Sequence, residues 1–107
     1  MAAGRIDTVG LMDAVQIDWH TTPLRAERFL ERYGPAVSRV LAYGAKGYLF
    51  YRSEDDSQHF VHISMWDERS NFERYWFSHE MQEVRQSIAG WVEQPVLPHW
   101  NVVVERG

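Results

Sequence analysis

The stretch His62–Glu80, HISMWDERSNFERYWFSHE, gathers Trp66, Phe72, Tyr75, Trp76 and Phe77 between His62 and His79. Rings at this density wall a pocket for a flat molecule or fill the core of a small domain. An imidazole among them adds a group that titrates near neutrality and can take or give a proton. Metal chemistry fits poorly. His59 and His62 stand three apart on a strand-like run, so they point to opposite faces and cannot chelate one ion. The chain has no cysteine, which removes disulfides, thiolate metal sites and cysteine nucleophiles. No HExxH, GxGxxG, Walker-type or GxSxG pattern occurs, and no hydrolase triad can be assembled.

The composition narrows the classes further. At 107 residues the chain reads as a single domain, 1–107, long enough to bury a true core. Its 11 basic and 15 acidic residues give a net charge of -4. Arg25, Arg28, Arg32 and Arg39 are interleaved with Glu27 and Glu31 rather than gathered in a stripe, which argues against a nucleic-acid partner. No window reaches the roughly 18 apolar residues of a membrane span, and MAAGRIDTVG lacks the apolar run of a signal peptide. The expected location is the cytoplasm, without a membrane partner.

The elements that must position these residues follow from periodicity. Val9–Trp19 reads as a strand with Leu11, Val15, Ile17 and Trp19 on one side and Met12, Ala14, Gln16 and Asp18 on the other. Asp13 breaks the apolar side. Thr22 is placed to cap a helix with Pro23 in its first turn, and Leu24, Phe29, Leu30 and Tyr33 form its apolar stripe. Gly34-Pro35 predicts a kink or break, and Gly44 a stop. Lys46–Ser53 and Gln58–Trp66 read as an antiparallel hairpin joined by EDDS. Asp67 or Ser70 can cap a second helix, and Ser78 a third carrying Met81, Val84, Ile88 and Trp91 at spacings of three, four and three. After a loop with two prolines, His99–Glu105 is the last strand. The order is βαββαβ, an α+β, ferredoxin-like pattern with an antiparallel sheet.

In that arrangement helices cover one sheet face. Val61, Ile63 and Met65 are purely apolar and are expected on the helix side. Phe60, His62, Ser64 and Trp66 would then form the opposite face, with Tyr48, Phe50 and Arg52 beside them on the neighbouring strand. An aromatic face left bare invites association, so a twofold homodimer is expected, with a cavity between sheet and helices.

Trp66, Phe72 six residues on, and Ser78-His79 spell W-x5-F-x5-S-H, followed by an amphipathic helix, a loop containing Pro95 and a Val-rich last strand. With this signature the chain, from about Val9 to Glu105, resembles the antibiotic biosynthesis monooxygenase family of dimeric α/β-barrel domains. The resemblance implies the fold more sharply than the activity. Members that form quinones from aromatic polyketides use a Trp at the position of Trp66. They carry Asn where this chain has His62 and Tyr where it has Phe72. Haem-degrading members place a Trp at the position of Tyr75 and an axial His at that of Arg85, so the resemblance does not extend to haem.

What the resemblance implies is a cofactor-independent monooxygenase acting with O2 on an aromatic phenol, anthrone or quinol. A base removes a proton and the substrate anion reduces dioxygen, so neither flavin nor metal is required. His62 would be the base, and equally reads as a plain polar residue in a dimer interface. Trp66, Phe60 and Phe50 would wall the site, although Trp66 fills the barrel mouth in any case. Arg52 or Tyr48 would stabilise the phenolate. Phe72 and His79 would border the pocket, while a helix-start histidine also belongs in solvent. A dimeric-barrel polyketide cyclase or isomerase, or a non-catalytic small-molecule-binding barrel, satisfies the same residues. Adjacent helical positions lie about 100° apart, so at least one of Phe72, Tyr75, Trp76 and Phe77 must leave the core for a cavity or a partner.

Overall fold

A computed structural model of the chain describes residues 12–107. The elements are β1 (Asp13–His20), α1 (Ala26–Val37), β2 (Gly47–Arg52), β3 (His59–Trp66), α2 (Arg69–Trp76), α3 (His79–Ile88) and β4 (His99–Val102). Short 3-10 turns, Ser38–Tyr43 and Ala89–Trp91, follow α1 and α3. All strand pairs are antiparallel and the sheet order is β2-β3-β1-β4. The expected βαββαβ order and ferredoxin-like α+β fold are therefore present. Positions 9–11 of the expected first strand lie outside the described residues. No helix among the described residues is long and apolar enough to cross a membrane.

The start of α1 differs from expectation. Thr22 does not cap it. Its backbone N–H donates to the Trp91 carbonyl at 2.9 Å and its own carbonyl accepts from Arg25 at 3.1 Å. These bonds hold Thr22–Arg25 as a turn tied to the chain beyond α3, and Leu24 takes a left-handed φ of 67° and projects into solvent. Pro35 does not break the helix. It sits on the exposed side, where water can satisfy the carbonyl one turn back that loses its N–H partner. The backbone then tightens into 3-10 geometry and ends at Gly44, whose φ of 108° is costly for any residue with a Cβ.

Neither Asp67 nor Ser70 caps α2, whose N-cap position is Glu68. Ser78 is the cap expected of it: its Oγ accepts the Met81 N–H at 3.2 Å and donates to the Tyr75 carbonyl at 2.7 Å. One side chain thus ends α2 and starts α3. Met81, Val84 and Ile88 then face inward, with Trp91 half-buried beyond the helix.

The faces of the sheet are reversed relative to expectation. Register sets Trp19 opposite Phe60, Ile17 opposite His62, Val15 opposite Ser64 and Asp13 opposite Trp66. Tyr48, Phe50 and Arg52 continue this side on β2. Phe29 and Tyr33 of α1 pack against it, with ring centroids 5.0 Å from Phe60 and 5.8 Å from His62. The aromatic, histidine-bearing side is therefore the helix-covered core. The aliphatic side is the open one: Leu49 and Tyr51 are exposed and Ile63 and Met65 half-buried on it, although Val61 is buried. The expectation equated apolar purity with coverage. Buried area decides instead, and rings supply more of it per residue than Val, Ile or Met. Of the α2 aromatics, Phe72, Tyr75 and Trp76 are buried, and Phe77 just beyond them is exposed.

Candidate functional site

Three elements bring polar-tipped rings together inside the core. Phe29 and Tyr33, one turn apart on α1, share a face and stack at 5.2 Å. Trp19 from β1 lies 4.8 Å from Tyr33, centroid to centroid. Tyr75 from α2 approaches from the other side, against Trp66 and Phe72 at 6.1 and 6.0 Å. The Tyr33 hydroxyl and His62 Nδ1 are hydrogen-bonded at 2.8 Å. Around that bond, three buried polar atoms have no hydrogen-bond partner: Nε2 of His62, Oη of Tyr75 and Nε1 of Trp19. The Trp19 and Tyr75 tips are near enough to Tyr33 to perturb its hydroxyl. Unpartnered buried polar atoms are rare and costly, so several in one aromatic setting mark a place where a ligand can be recognised.

Burial also sets the charge of the cluster. It drives the His62 pKa down to about 4, so the ring is neutral at physiological pH. It raises both Tyr33 and Tyr75 above the ordinary phenol range, keeping both hydroxyls protonated. Neutral His62 therefore does not titrate near neutrality, which corrects the reason for choosing it as a base. It remains a proton acceptor in one tautomer. With the proton on Nδ1, donating to Tyr33 Oη, the Nε2 lone pair is free.

The expected site residues divide into groups. His62, Phe50, Phe60 and Tyr48 are together: the Phe50 and Tyr48 rings meet His62 edge-on at 6.0 and 6.4 Å, and Phe50 stacks on Phe60 at 5.9 Å. Trp66 and Phe72 form a second group around Tyr75, T-shaped at 5.6 Å. The Trp66 Nε1–H is already committed to Ser64 Oγ at 2.8 Å, so Trp66 offers a wall and no free donor. Arg52 stands over Phe60 but is held by Glu27 at 2.9 Å and by the Ser57 carbonyl at 2.7 Å. His79 stands apart, its side chain 87% exposed and paired with Glu83. His59 is on the open face, stacked on His20 and bonded to Asp18 at 2.8 Å, while His62 faces inward. Among the described residues no cluster of three or more His, Asp or Glu could hold a metal ion.

Trp19 and Tyr33 entered the sequence reading only as core-facing positions and Arg85 only as a family position, while Tyr75 entered as a family position and as one of the helix aromatics. The available signal was chemical: Trp19 and Tyr33 sit at core-facing positions yet carry donors that must be satisfied.

Beside this cluster a cleft of about 450 Å³ opens to solvent, lined by Trp19, Trp76, Gln82, Arg85, Gln94 and Val96 among others. Its volume is in the range of small-molecule sites. His62 does not line it. Trp19 does, and Trp19 and Tyr33 connect the cleft to His62 through ring contacts.

No family model matches the sequence, and no curated protein matches it. Solved structures do match. A protein of Nitrosomonas europaea, named as a candidate antibiotic biosynthesis monooxygenase, superposes with a TM-score of 0.79 at 16% identity, over 87% of this chain and 90% of that one. A similarly named protein of Bordetella bronchiseptica gives 0.74 at 20% identity, over 89% and 99%. A conserved protein of unknown function from Bacteroides thetaiotaomicron gives 0.71 at 12% identity, over 85% and 98%. This chain has the fold of the antibiotic biosynthesis monooxygenase proteins.

Proposed function

We propose that the protein is a small cofactor-independent monooxygenase, cytoplasmic and homodimeric, that oxidises an aromatic or polyketide-like phenol, anthrone or quinol with O2. The observation that carries this reading is the cluster of unpartnered His62 Nε2, Tyr75 Oη and Trp19 Nε1 in an aromatic interior beside a cleft. Dimerisation would use the open sheet face, where Leu49 and Tyr51 are exposed beside half-buried Ile63 and Met65.

For an activated methylene between two rings, the methylene and one dioxygen become a carbonyl and one water. With the Trp19 ring turned aside to admit substrate from the cleft, a C–H proton passes to His62 Nε2, leaving a delocalised carbanion. The anion gives one electron to dioxygen, and the resulting radical and superoxide combine to a peroxide anion. This takes the proton back from His62, and loss of water from the hydroperoxide leaves the new carbonyl. Burial opposes a free imidazolium at position 62, so that cation forms only beside the substrate anion that pairs with it. Tyr33, receiving the Nδ1–H of His62, can turn its own proton toward Tyr75. The two phenol groups thereby orient the imidazole and stabilise its charged form. The aromatic walls exclude water and hold the ring flat.

A second reading, a binding barrel without turnover, is favoured by one feature: the cleft ends on Trp19, with His62 behind it. A cyclase or isomerase would use the same base without O2. Oxygen uptake by the metal-free protein with anthrones, naphthols and dihydronaphthoquinones separates the readings. Uptake of one O2 per substrate, lost in His62→Ala and reduced in Trp66→Phe, supports the oxygenase. Silence across the panel removes it.

A further inference from the structure

Arg85 is the charge that the proposed chemistry does not use. It sits near the C-terminal end of α3, half-buried, with its guanidinium 4.1 Å from the centroid of Trp76. One nitrogen donates to the Trp76 carbonyl at the end of α2. Its remaining N–H groups have no protein acceptor among the described residues. Among the described residues, the other arginines without a carboxylate partner, Arg25, Arg28, Arg32, Arg74 and Arg106, are all exposed, whereas Arg85 is half-buried and also pairs with none. A guanidinium carries five donors in a planar fork that matches a carboxylate, and desolvating it without a counter-ion is unfavourable.

The surroundings point the same way. Arg85 is the one charged residue among those lining the cleft, and Gln82, Gln86 and Gln94 give the rim neutral amides. Trp19, only 1% exposed, also lines the cleft, with its indole N–H directed toward the Tyr33 hydroxyl rather than offered to the cleft. Ala89 and Val96 add apolar wall. A positive fork, neutral amides on the rim and an apolar, aromatic wall describe a site for a flat ring bearing an acid.

We propose that the ligand of this cleft is a small aromatic carboxylate, its acid group held by Arg85 and its ring lying along Trp19 and Val96. This rests on the reading of the site as an aromatic-ligand pocket, and is independent of whether oxidation follows.

The test is isothermal titration calorimetry under nitrogen, with 1-hydroxy-2-naphthoate against 1-hydroxy-2-naphthamide as matched probes. The wild type is expected to bind the acid about tenfold or more tightly than the amide. Arg85→Gln should bring the two probes to similar affinity. Because Arg85→Gln also uncovers Trp76, a second variant leaves the arginine untouched. Gln86→Glu, on the exposed rim, should lower the preference for the acid over the amide several-fold by placing a negative charge beside the bound carboxylate. Equal binding of the two probes by the wild type, a preference that survives Arg85→Gln, or no binding of either probe overturns the proposal. Selective binding without oxygen uptake would sink the oxygenase reading and leave this one standing.

Discussion

The Tyr33 hydroxyl and Nδ1 of His62 lie 2.8 Å apart with both side chains essentially removed from solvent, a single polar bond joining α1 to the middle of β3. The bond is internally sufficient for Tyr33 but leaves His62 with one nitrogen unsatisfied. Removing the Tyr33 hydroxyl therefore strips the imidazole of its remaining partner. Tyr33→Phe is expected to destabilise the fold by about 1–3 kcal/mol, and His62→Leu by less, because the leucine also removes the orphaned nitrogen. A double-mutant cycle from urea unfolding measures the coupling. Coupling near zero would mean that the two groups do not depend on each other.

Acidification should reveal His62. Its folded pKa of about 4 lies below the ordinary 6.5, so between those values the unfolded chain binds the extra proton. Stability is then fully present above about pH 6.5 and declines as pH falls toward 4, by an amount on the order of 3 kcal/mol. Glu80 acts in a lower window. Its hydrogen bonds to Arg39 and Tyr43 hold it near 2, so its small, solvent-exposed contribution fades only below about 4.5. Unfolding midpoints from pH 7 to 4.5 should fall steeply in the wild type and flatten in His62→Leu. An unchanged slope in the variant would assign the acid sensitivity elsewhere.

Two hydroxyl-bearing positions that look alike in sequence should behave differently. Ser78→Ala removes a true cap and a bond to the Tyr75 carbonyl, and is expected to cost about 1 kcal/mol. Thr22→Ala loses only a 3.4 Å contact to the Trp91 carbonyl and should stay within about 0.5 kcal/mol of wild type. Thermal melts of the two variants decide the matter, and equal losses would contradict the capping geometry.

The aromatic face expected to carry the dimer is the one the helices cover, so the open sheet face is the surface proposed for it instead. Leu49, 57% exposed at the edge strand and paired with Ile63, would lie within it. Leu49→Asp is expected to yield a folded monomer by sedimentation at micromolar concentration. A wild-type monomer, or a variant that stays dimeric, would remove this face from the assembly.

Much of the fold was legible because alternation and punctuation agree. The run from Val61 to Trp66 alternates cleanly, Ser78 and Gly44 mark real boundaries, and Met81, Val84 and Ile88 share a buried stripe. What alternation could not reveal was which side of β3 the helices would cover. A period of two says that Phe60 and His62 share a face and is silent about what lies over it. That depended on Phe29 and Tyr33, whose rings match the aromatic side. The site was half legible for the same reason. His62 stood out as the polar residue among rings, but its partners Tyr33, Tyr75 and Trp19 read individually as core. Only their convergence in space leaves donors without acceptors.

The strand order has a consequence for how the chain is made. β1 leaves the ribosome before the other three strands, yet it lies inside the sheet between β3 and β4. Asp13 waits for Trp66 on one side and for Val102 on the other. The hairpin of β2 and β3 can form as it emerges, whereas one edge of β1 stays unpaired until His99–Val102 has followed. A nascent chain stalled between α3 and β4 thus presents the eight-residue edge of β1 where the finished sheet ends on the four residues of β4, a longer template for misassembly.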